Sequence, residues 1–204
     1  MTVLEIGTPH GPARAHMHPA ADPAAALVLG HGAAGSVEAR DLVAVTEVAL
    51  SASVSVALVE QPYAVAGRRS PAPARQLDAA WTAVLAELRS GALRDLPLIA
   101  GGRSSGARVA CRTAGETGAI AVVCLAFPVH PPGDELKTRL PELDAVQVPV
   151  LVVQGTRDPF GMPPAAATRE VVTVAGTHSL ATDLPAVAAA VRDWLSRVLQ
   201  AASE

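Results

Sequence analysis

Apolar runs alternate along the chain with segments whose hydrophobic residues recur every three or four positions. Six of the runs are almost continuously apolar, as expected for strands covered on both faces of a sheet. Their predicted bounds are Ala25–Leu29, Val54–Val59, Pro97–Ala100, Ala119–Ala126, Val148–Gln154 and Glu170–Val174. The predicted helices between and after them are Val37–Ser51, Pro73–Ser90, Ser105–Ala114 and Pro185–Leu199.

The order of these elements predicts an α/β protein. The repeated strand–helix–strand pattern is typical of a mostly parallel sheet joined by right-handed crossovers. The N-terminal segment adds an edge hairpin, with strands Val3–Ile6 and Ala13–His18, of which the second is expected to be antiparallel. We therefore predict one domain over residues 1–204, with about eight strands, helices on both faces and no large lid.

The composition excludes several classes of protein. Of the 204 residues, 50% are hydrophobic and 17% are charged, which is too apolar for a disordered chain. A net charge of -3 without a basic run argues against a nucleic-acid partner. No apolar run approaches the ~18 residues of a membrane span, and residues 1–5 lack the features of a signal peptide. We therefore expect a cytoplasmic protein with no membrane partner.

Pairs of cysteines and histidines raise the possibility of metal binding. Cys111 and Cys124 lie in apolar surroundings without metal-type spacing, so we expect two inert thiols in a reducing compartment. His16 and His18 share one face of a predicted strand, but no third ligand accompanies them. An exposed edge strand without a metal is therefore expected here.

A first glycine motif, Gly30-His31-Gly32-Ala33-Ala34-Gly35, follows a predicted strand and leads into a helix. It fits the G-x-G-x-x-G pattern of dinucleotide-binding turns, and Glu60 ends the next strand, where such proteins place a ribose-binding acid. However, a hairpin precedes this strand, and Ser36 is the expected helix N-cap, which leaves Gly35 outside the helix. A dinucleotide-binding oxidoreductase and a plain glycine turn both stay open as alternatives.

A second motif, Gly102-Arg103-Ser104-Ser105-Gly106, fits G-x-S-x-G between a predicted strand and a predicted helix. A nucleophilic serine needs a sharp strand-to-helix turn of this kind, and the flanking glycines leave room where side chains would clash. The helix N-terminus behind Ser104 would stabilise a developing oxyanion. Ser104 is therefore the candidate nucleophile.

The same hypothesis requires an acid and a histidine after later strands, because the serine needs a base and the base needs an orienting acid. Asp158 follows the predicted strand Val148–Gln154, and His178 follows Glu170–Val174, in the chain order of the α/β-hydrolases. Two backbone N–H groups must also hold the oxyanion. We assign them to Ser105, after the nucleophile, and to Ala33 in the first glycine loop, with His31 bracing that loop.

These residues resemble the small, lidless α/β-hydrolases of the dienelactone-hydrolase-like group. Within it, the chain looks most like the branch named for testis-expressed and NSL-complex-subunit hydrolase-like proteins. The matching segments are Gly30–Gly35, Gly101–Gly106, Phe127–Gly133, Gln154–Gly161 and Gly176–His178. Dienelactone hydrolases proper use a cysteine nucleophile, so Ser104 argues against a dienelactone substrate. Some members of the branch act in complexes, which leaves a non-catalytic interaction module as an alternative.

The resulting expectation is a serine hydrolase of small carboxylic esters or thioesters, acting through an acyl-Ser104 intermediate without a cofactor or metal. Three further residues are candidate substrate contacts. His130 lies in the loop after the strand Ala119–Ala126, on the side where the strands end. Arg68 and Arg69 follow the strand that ends at Glu60, on the same side, although a solvated loop pair is the alternative interpretation.

Overall fold

The computed structural model describes residues 2–33 and 36–203. In this part of the chain, eight strands form one sheet and six helices surround it. The strands are β1 (Thr2–Thr8), β2 (Gly11–His18), β3 (Ala25–Gly30), β4 (Val54–Glu60), β5 (Leu98–Arg103), β6 (Ala121–Leu125), β7 (Val150–Gly155) and β8 (Arg169–Val174). The helices are α1 (Arg40–Ser51), α2 (Pro62–Val65), α3 (Ala74–Ser90), α4 (Ser105–Thr117), α5 (Leu140–Asp144) and α6 (Leu184–Ser203).

The sheet has the strand order β1-β2-β4-β3-β5-β6-β7-β8. The β1–β2 hairpin is antiparallel, β2 is also antiparallel to β4, and all other pairings are parallel. The predicted edge hairpin and the antiparallel second strand are thus confirmed. The exposed edge predicted for His16 and His18 is wrong, because β1 covers β2, and His16 Nε2 lies 2.8 Å from Glu60 Oε2.

Alternating side chains along the central strands bury two separate apolar layers, as the pleat of a strand requires. Leu27 and Leu29 of β3 pack into the layer under α1 and α6, which contains Trp194. Ala26 and Val28 face the opposite layer, under α3 and α4, which contains Trp81. Helices therefore cover both faces of the sheet.

The chain leaves β3 and β5 toward opposite faces of the sheet, although these two strands are neighbours. The segment after β3 leads to α1 in one layer, and the segment after β5 leads to α4 in the other layer. This reversal creates a crevice beyond the carboxyl ends of the two strands, where open α/β sheets bind their ligands.

The helices differ from the sequence prediction at several ends. Helix α1 begins at Arg40 rather than Val37, and its N-cap is Ala39, which forms no side-chain cap. The Ser36 hydroxyl instead accepts a hydrogen bond from the Glu38 N–H at 3.2 Å, so the predicted Ser36 cap is wrong. The short helices α2 and α5 were not predicted. Among the described residues, no helix has the length and apolar character needed to span a membrane.

Candidate active site

Ser104 occupies the sharp turn between β5 and α4. Its backbone angles are φ 52° and ψ -106°, a positive φ that side-chain-bearing residues rarely adopt. Such strain persists only where the surrounding structure fixes the backbone, and it concentrates at functional positions. The turn places Ser104 directly before the first residue of α4, at the positive end of the helix dipole.

The two glycines that flank the turn are required by backbone packing against β3. A Cβ on Gly102 would lie 2.5 Å from the carbonyl oxygen of Gly30, and a Cβ on Gly106 would overlap the same carbonyl group. Because β3 and β5 are adjacent and α4 crosses over Gly30, only hydrogen atoms fit at these contacts. The G-x-S-x-G pattern here reflects this close approach, as the sequence analysis predicted.

The structure brings Ser104, His178 and Asp158 into one hydrogen-bonded chain. His178 Nε2 lies 2.8 Å from Ser104 Oγ, and His178 Nδ1 lies 2.8 Å from Asp158 Oδ2. An ionised carboxylate can only accept, so His178 Nδ1–H donates to Asp158, and Nε2 is left to accept the Ser104 hydroxyl proton. This is the hydrogen-bond pattern that a serine nucleophile requires.

The Asp158 side chain is completely buried, whereas the His178 side chain is 17% exposed. Two further donors hold the carboxylate: the Gln154 side-chain amide at 2.9 Å and the Phe160 N–H at 2.9 Å. The Gln154 amide also lies within hydrogen-bond distance of the carbonyl oxygens of Phe127 and Gly161. Sequence analysis named Gln154 only as the end of a predicted strand and the first residue of a matching segment and assigned it no role, because a glutamine at the end of a buried strand does not by itself indicate a contact with Asp158.

The described part of the first glycine loop, residues 31–33, is fixed by its own hydrogen bonds. His31 Nδ1–H donates to the Gly32 carbonyl at 2.7 Å, and Nε2 accepts the Gln61 N–H at 3.3 Å. Burial lowers the pKa of His31, which keeps the imidazole neutral as this pattern requires. His31 therefore braces the loop.

Tyr63 holds the next peptide of the loop. Its hydroxyl donates to the Ala33 carbonyl at 2.8 Å, and burial raises the pKa of Tyr63 to about 12. The loop lies against the nucleophile, since a Cβ on Gly32 would be 3.7 Å from Ser104 Cβ. The peptide N–H groups of Ala33 and Ser105 thus lie beyond the ends of two adjacent strands, in the loop after β3 and at the start of α4 after β5. Ala34 and Gly35 of the motif lie outside the described residues.

Arg103 and Asp41 are neighbours of the site that sequence analysis missed. Arg103 Nε lies 2.9 Å from Asp41 Oδ2, and Arg103 Nη2 donates to the His178 carbonyl at 3.1 Å. Burial raises the pKa of Asp41, and the Arg103 guanidinium opposes that shift. Arg103 is the variable residue before the nucleophile in G-x-S-x-G, so the motif gave no reason to select it.

His130 contacts the loop that carries Asp158. The backbone N–H of His130 donates to the Phe160 carbonyl at 3.3 Å, and the His130 ring lies 3.2 Å from the position of a Cβ on Gly161. The Phe160 ring in turn packs on His178, with ring centroids 4.3 Å apart. His130 is therefore linked to the triad through Phe160.

Arg68 and Arg69 are exposed and line an open groove with Tyr63 and Gln76. Neither arginine forms an ion pair within residues 2–33 and 36–203. A cavity of about 230 Å³ adjoins the groove and shares Tyr63, Arg68 and Gln76 with it. Ser104 and His178 line neither space, so the structure does not bring the two arginines to the triad as it does Asp158.

The structure also bears on two other interpretations of these residues, a dinucleotide-binding turn and a metal site. A dinucleotide-binding turn places a helix N-terminus directly at the glycine loop. Here α1 begins only at Arg40, and Glu60 is engaged by His16. The structure therefore does not support the dinucleotide interpretation of the first motif. Among the described residues, no group of three or more His, Cys, Asp or Glu side chains is arranged to hold a metal.

The fold and this triad geometry together define an α/β-hydrolase type of protein. Residues 23–183 match the family model described as an alpha/beta hydrolase domain, and the chain belongs to this family. No curated protein sequence shows significant similarity to the chain.

Solved structures that are similar to the chain share this fold. XC6422 from Xanthomonas campestris, a serine hydrolase without a lid, is 18% identical with a TM-score of 0.76, covering 96% of this chain and 94% of that one. Est1E from Butyrivibrio proteoclasticus is 16% identical with a TM-score of 0.79, covering 98% and 100%. A dienelactone hydrolase from Anabaena variabilis is 17% identical with a TM-score of 0.77, covering 96% of each chain.

Proposed function

We propose that the protein is a serine hydrolase that cleaves a small carboxylic ester or thioester through an acyl-enzyme on Ser104. The observation that carries the proposal is the hydrogen-bonded chain from Ser104 through His178 to the buried Asp158. The strained backbone of Ser104 supports it, since that conformation has a cost and serves to expose the hydroxyl at the turn.

In the first half of the reaction, His178 Nε2 removes the Ser104 proton while Oγ attacks the substrate carbonyl carbon. The N–H groups of Ala33 and Ser105 hold the oxyanion of the tetrahedral intermediate, with the N-terminus of α4 adding a favourable field. His178 then donates the proton to the leaving alcohol or thiol, which departs and leaves the acyl-enzyme. Asp158 keeps His178 in the required tautomer and stabilises the imidazolium.

In the second half, water replaces the alcohol. His178 Nε2 takes a proton from the water, whose oxygen attacks the acyl carbonyl, and the same proton returns to Ser104 Oγ as the acid leaves. The chain supplies the nucleophile, the base and the oxyanion donors from its own residues. We therefore expect the reaction to need no cofactor and no metal ion.

The structural neighbours support the hydrolase proposal at the level of chemistry. XC6422 is a serine hydrolase without a lid, and one structure of Est1E contains ferulic acid. The branch of testis-expressed and NSL-complex-subunit hydrolase-like proteins remains our proposal for the chain's place within the wider group. A non-catalytic interaction module is the second candidate, and it differs in whether Ser104 reacts.

The test is covalent labelling by a fluorophosphonate, which traps activated serines. The wild type should be labelled at Ser104, and Ser104→Ala should lose the label and several orders of magnitude of ester turnover while its unfolding midpoint stays near the wild-type value. Ser90→Ala is the control, because Ser90 is exposed at the end of α3 and its hydroxyl donates to the Glu87 carbonyl of the same helix. Labelling that persists in Ser104→Ala would refute the assignment. A wild type that is folded but unreactive would favour the interaction module.

A further inference from the structure

The guanidinium of Arg103 touches three segments that surround the candidate nucleophile. Nε lies 2.9 Å from Asp41 Oδ2, and Nη2 donates to the His178 carbonyl at 3.1 Å. Nη1 lies so close to Gly32 that a Cβ there would be 2.9 Å away. The backbone of Arg103 itself leads directly into Ser104. One side chain therefore contacts the glycine loop, the histidine loop and the start of α1.

Asp41 holds the Arg103 guanidinium in place. Its side chain is 1% exposed, so almost all of the carboxylate is removed from water, and Arg103 is only 17% exposed. The second carboxylate oxygen accepts the Leu42 N–H at 3.0 Å in the first turn of α1. A buried carboxylate requires a paired cation, and removal of either partner leaves an uncompensated charge. Arg103 is therefore held in one orientation by a partner that is itself fixed on α1.

The contacts lie at both ends of one loop. Gly32 is near the start of the segment between β3 and α1, and Asp41 is just after its end. Because the guanidinium is planar and carries three nitrogen atoms, it can pack against Gly32, pair with Asp41 and donate to the His178 carbonyl at once. A lysine ammonium on a flexible stem is a single point charge and cannot reproduce this set of contacts.

We propose that Arg103 and Asp41 are a positioning pair, which fixes the oxyanion loop and His178 relative to Ser104. The loss of kcat that the proposal predicts rests on the hydrolase function proposed above. The rise in amide exchange that it predicts rests on the fold alone. Arg103 acts through Gly32 and His178, and it forms no bond with the reacting atoms.

The experiment combines hydrogen exchange with kinetics on Arg103→Gln, Arg103→Lys and Asp41→Asn. We expect amide exchange to rise about tenfold in residues 31–33, 36–41 and 176–180 of each variant, because the two loops lose the side chain that contacts both of them. For a short ester, kcat should fall about 10- to 100-fold with KM nearly unchanged, since a small misplacement of catalytic groups affects the transition state most. Arg103→Lys should behave like Arg103→Gln.

The control is Arg169→Gln, which also removes a buried arginine from a pair with an aspartate, Asp144, and from the Pro164 carbonyl. Its exchange should rise near residues 164–169, with kcat unchanged. If Arg103→Gln does not fold, the same measurements on Asp41→Asn test the proposal, because the asparagine amide keeps the shape of the carboxylate.

The outcomes separate the positioning pair from the hydrolase function. Wild-type exchange in both loops of Arg103→Gln and Asp41→Asn would overturn the pair even if the wild type hydrolyses esters. Full protection and full kcat in Arg103→Lys would also overturn it, since a point charge would then suffice. Raised exchange in both loops of the variants, together with a wild type that never reacts at Ser104, would support the pair and refute the hydrolase proposal instead.

Discussion

At the level of single side chains, the triad depends on how firmly Asp158 is held. Its Oδ2 accepts from both His178 and Gln154, and its Oδ1 accepts from the Phe160 N–H. The position of Gln154 near the end of β7 matters because a strand places its side chains rigidly, whereas Asp158 itself lies in the following loop. The sheet thus fixes the orientation of His178 through Gln154 and Asp158.

Asp158→Asn should leave the fold intact but favour the wrong tautomer of His178, because an amide can donate to Nδ1 where the carboxylate only accepts. We expect kcat for ester hydrolysis to fall by on the order of 10³–10⁴. Asp183→Asn is the matched control, since the Asp183 carboxylate accepts the Ala186 N–H at the start of α6. It should lower thermal stability slightly and leave kcat unchanged. Activity of Asp158→Asn near the wild-type level would mean that another acid orients His178.

At the level of helices and strands, the nucleophile turn depends on three glycines that meet across β3, β5 and α4. Gly30, Gly102 and Gly106 bring these backbones closer together than any side chain allows. The contact fixes where α4 begins, and therefore the direction in which Ser104 presents its hydroxyl. The same glycine contacts therefore determine both the packing of these elements and the geometry of the site.

Gly106→Ala should destabilise the protein by about 3 kcal/mol, because the added methyl group overlaps the Gly30 carbonyl, which belongs to a central strand that cannot move aside. Gly115→Ala provides the control on the same helix. Gly115 is exposed, and a Cβ there would meet nothing within 4 Å. Alanine should stabilise α4 there by about 0.8–1.0 kcal/mol. Urea unfolding of both variants measures the difference, and equal effects at the two positions would contradict this account.

Sequence patterns predicted the elements that bury apolar surface and the residues that belong to motifs. The central strands are nearly continuous apolar runs, the four long helices have strong periodicity, and Ser104, Asp158 and His178 each follow a recognisable strand end. The four-residue α2 and five-residue α5 are too short to show a helical period. Arg103, Asp41 and Gln154 act through contacts between segments that are distant in sequence, so no local pattern marks them.

Across the fold as a whole, the distribution of aromatic residues limits the kind of substrate. The chain has two Trp, one Tyr and two Phe. Trp81, Trp194 and Phe127 are buried in the apolar layers, Tyr63 bonds the Ala33 carbonyl, and Phe160 is the one aromatic residue among the five that packs on His178. Apolar pockets for long acyl chains are lined largely by bulky side chains. We therefore expect a shallow site that prefers short acyl groups.

Arg68 and Arg69 lie in a groove beside Tyr63 and not at the triad, so they could contact only a part of the substrate that extends into that groove; neither has an ion pair within the described part of the chain. Guanidinium groups bind carboxylates and phosphates in a bidentate manner, so a substrate with an anionic group should be preferred. Because both side chains are exposed, the preference should be modest, about 1 kcal/mol or less, and should weaken with added salt.

The measurement is kcat/KM for matched neutral and anionic short esters at low and high ionic strength. Arg68→Ala/Arg69→Ala should lower the anionic-to-neutral ratio by up to about fivefold at low salt, since an exposed pair contributes about 1 kcal/mol or less. Arg192→Ala/Arg197→Ala removes the same net charge from exposed positions on α6, where both arginines already face acidic partners. That control should leave the ratio unchanged. If the Arg68 and Arg69 double variant also leaves it unchanged, the two arginines are a solvated loop pair and the substrate is selected elsewhere in the cleft.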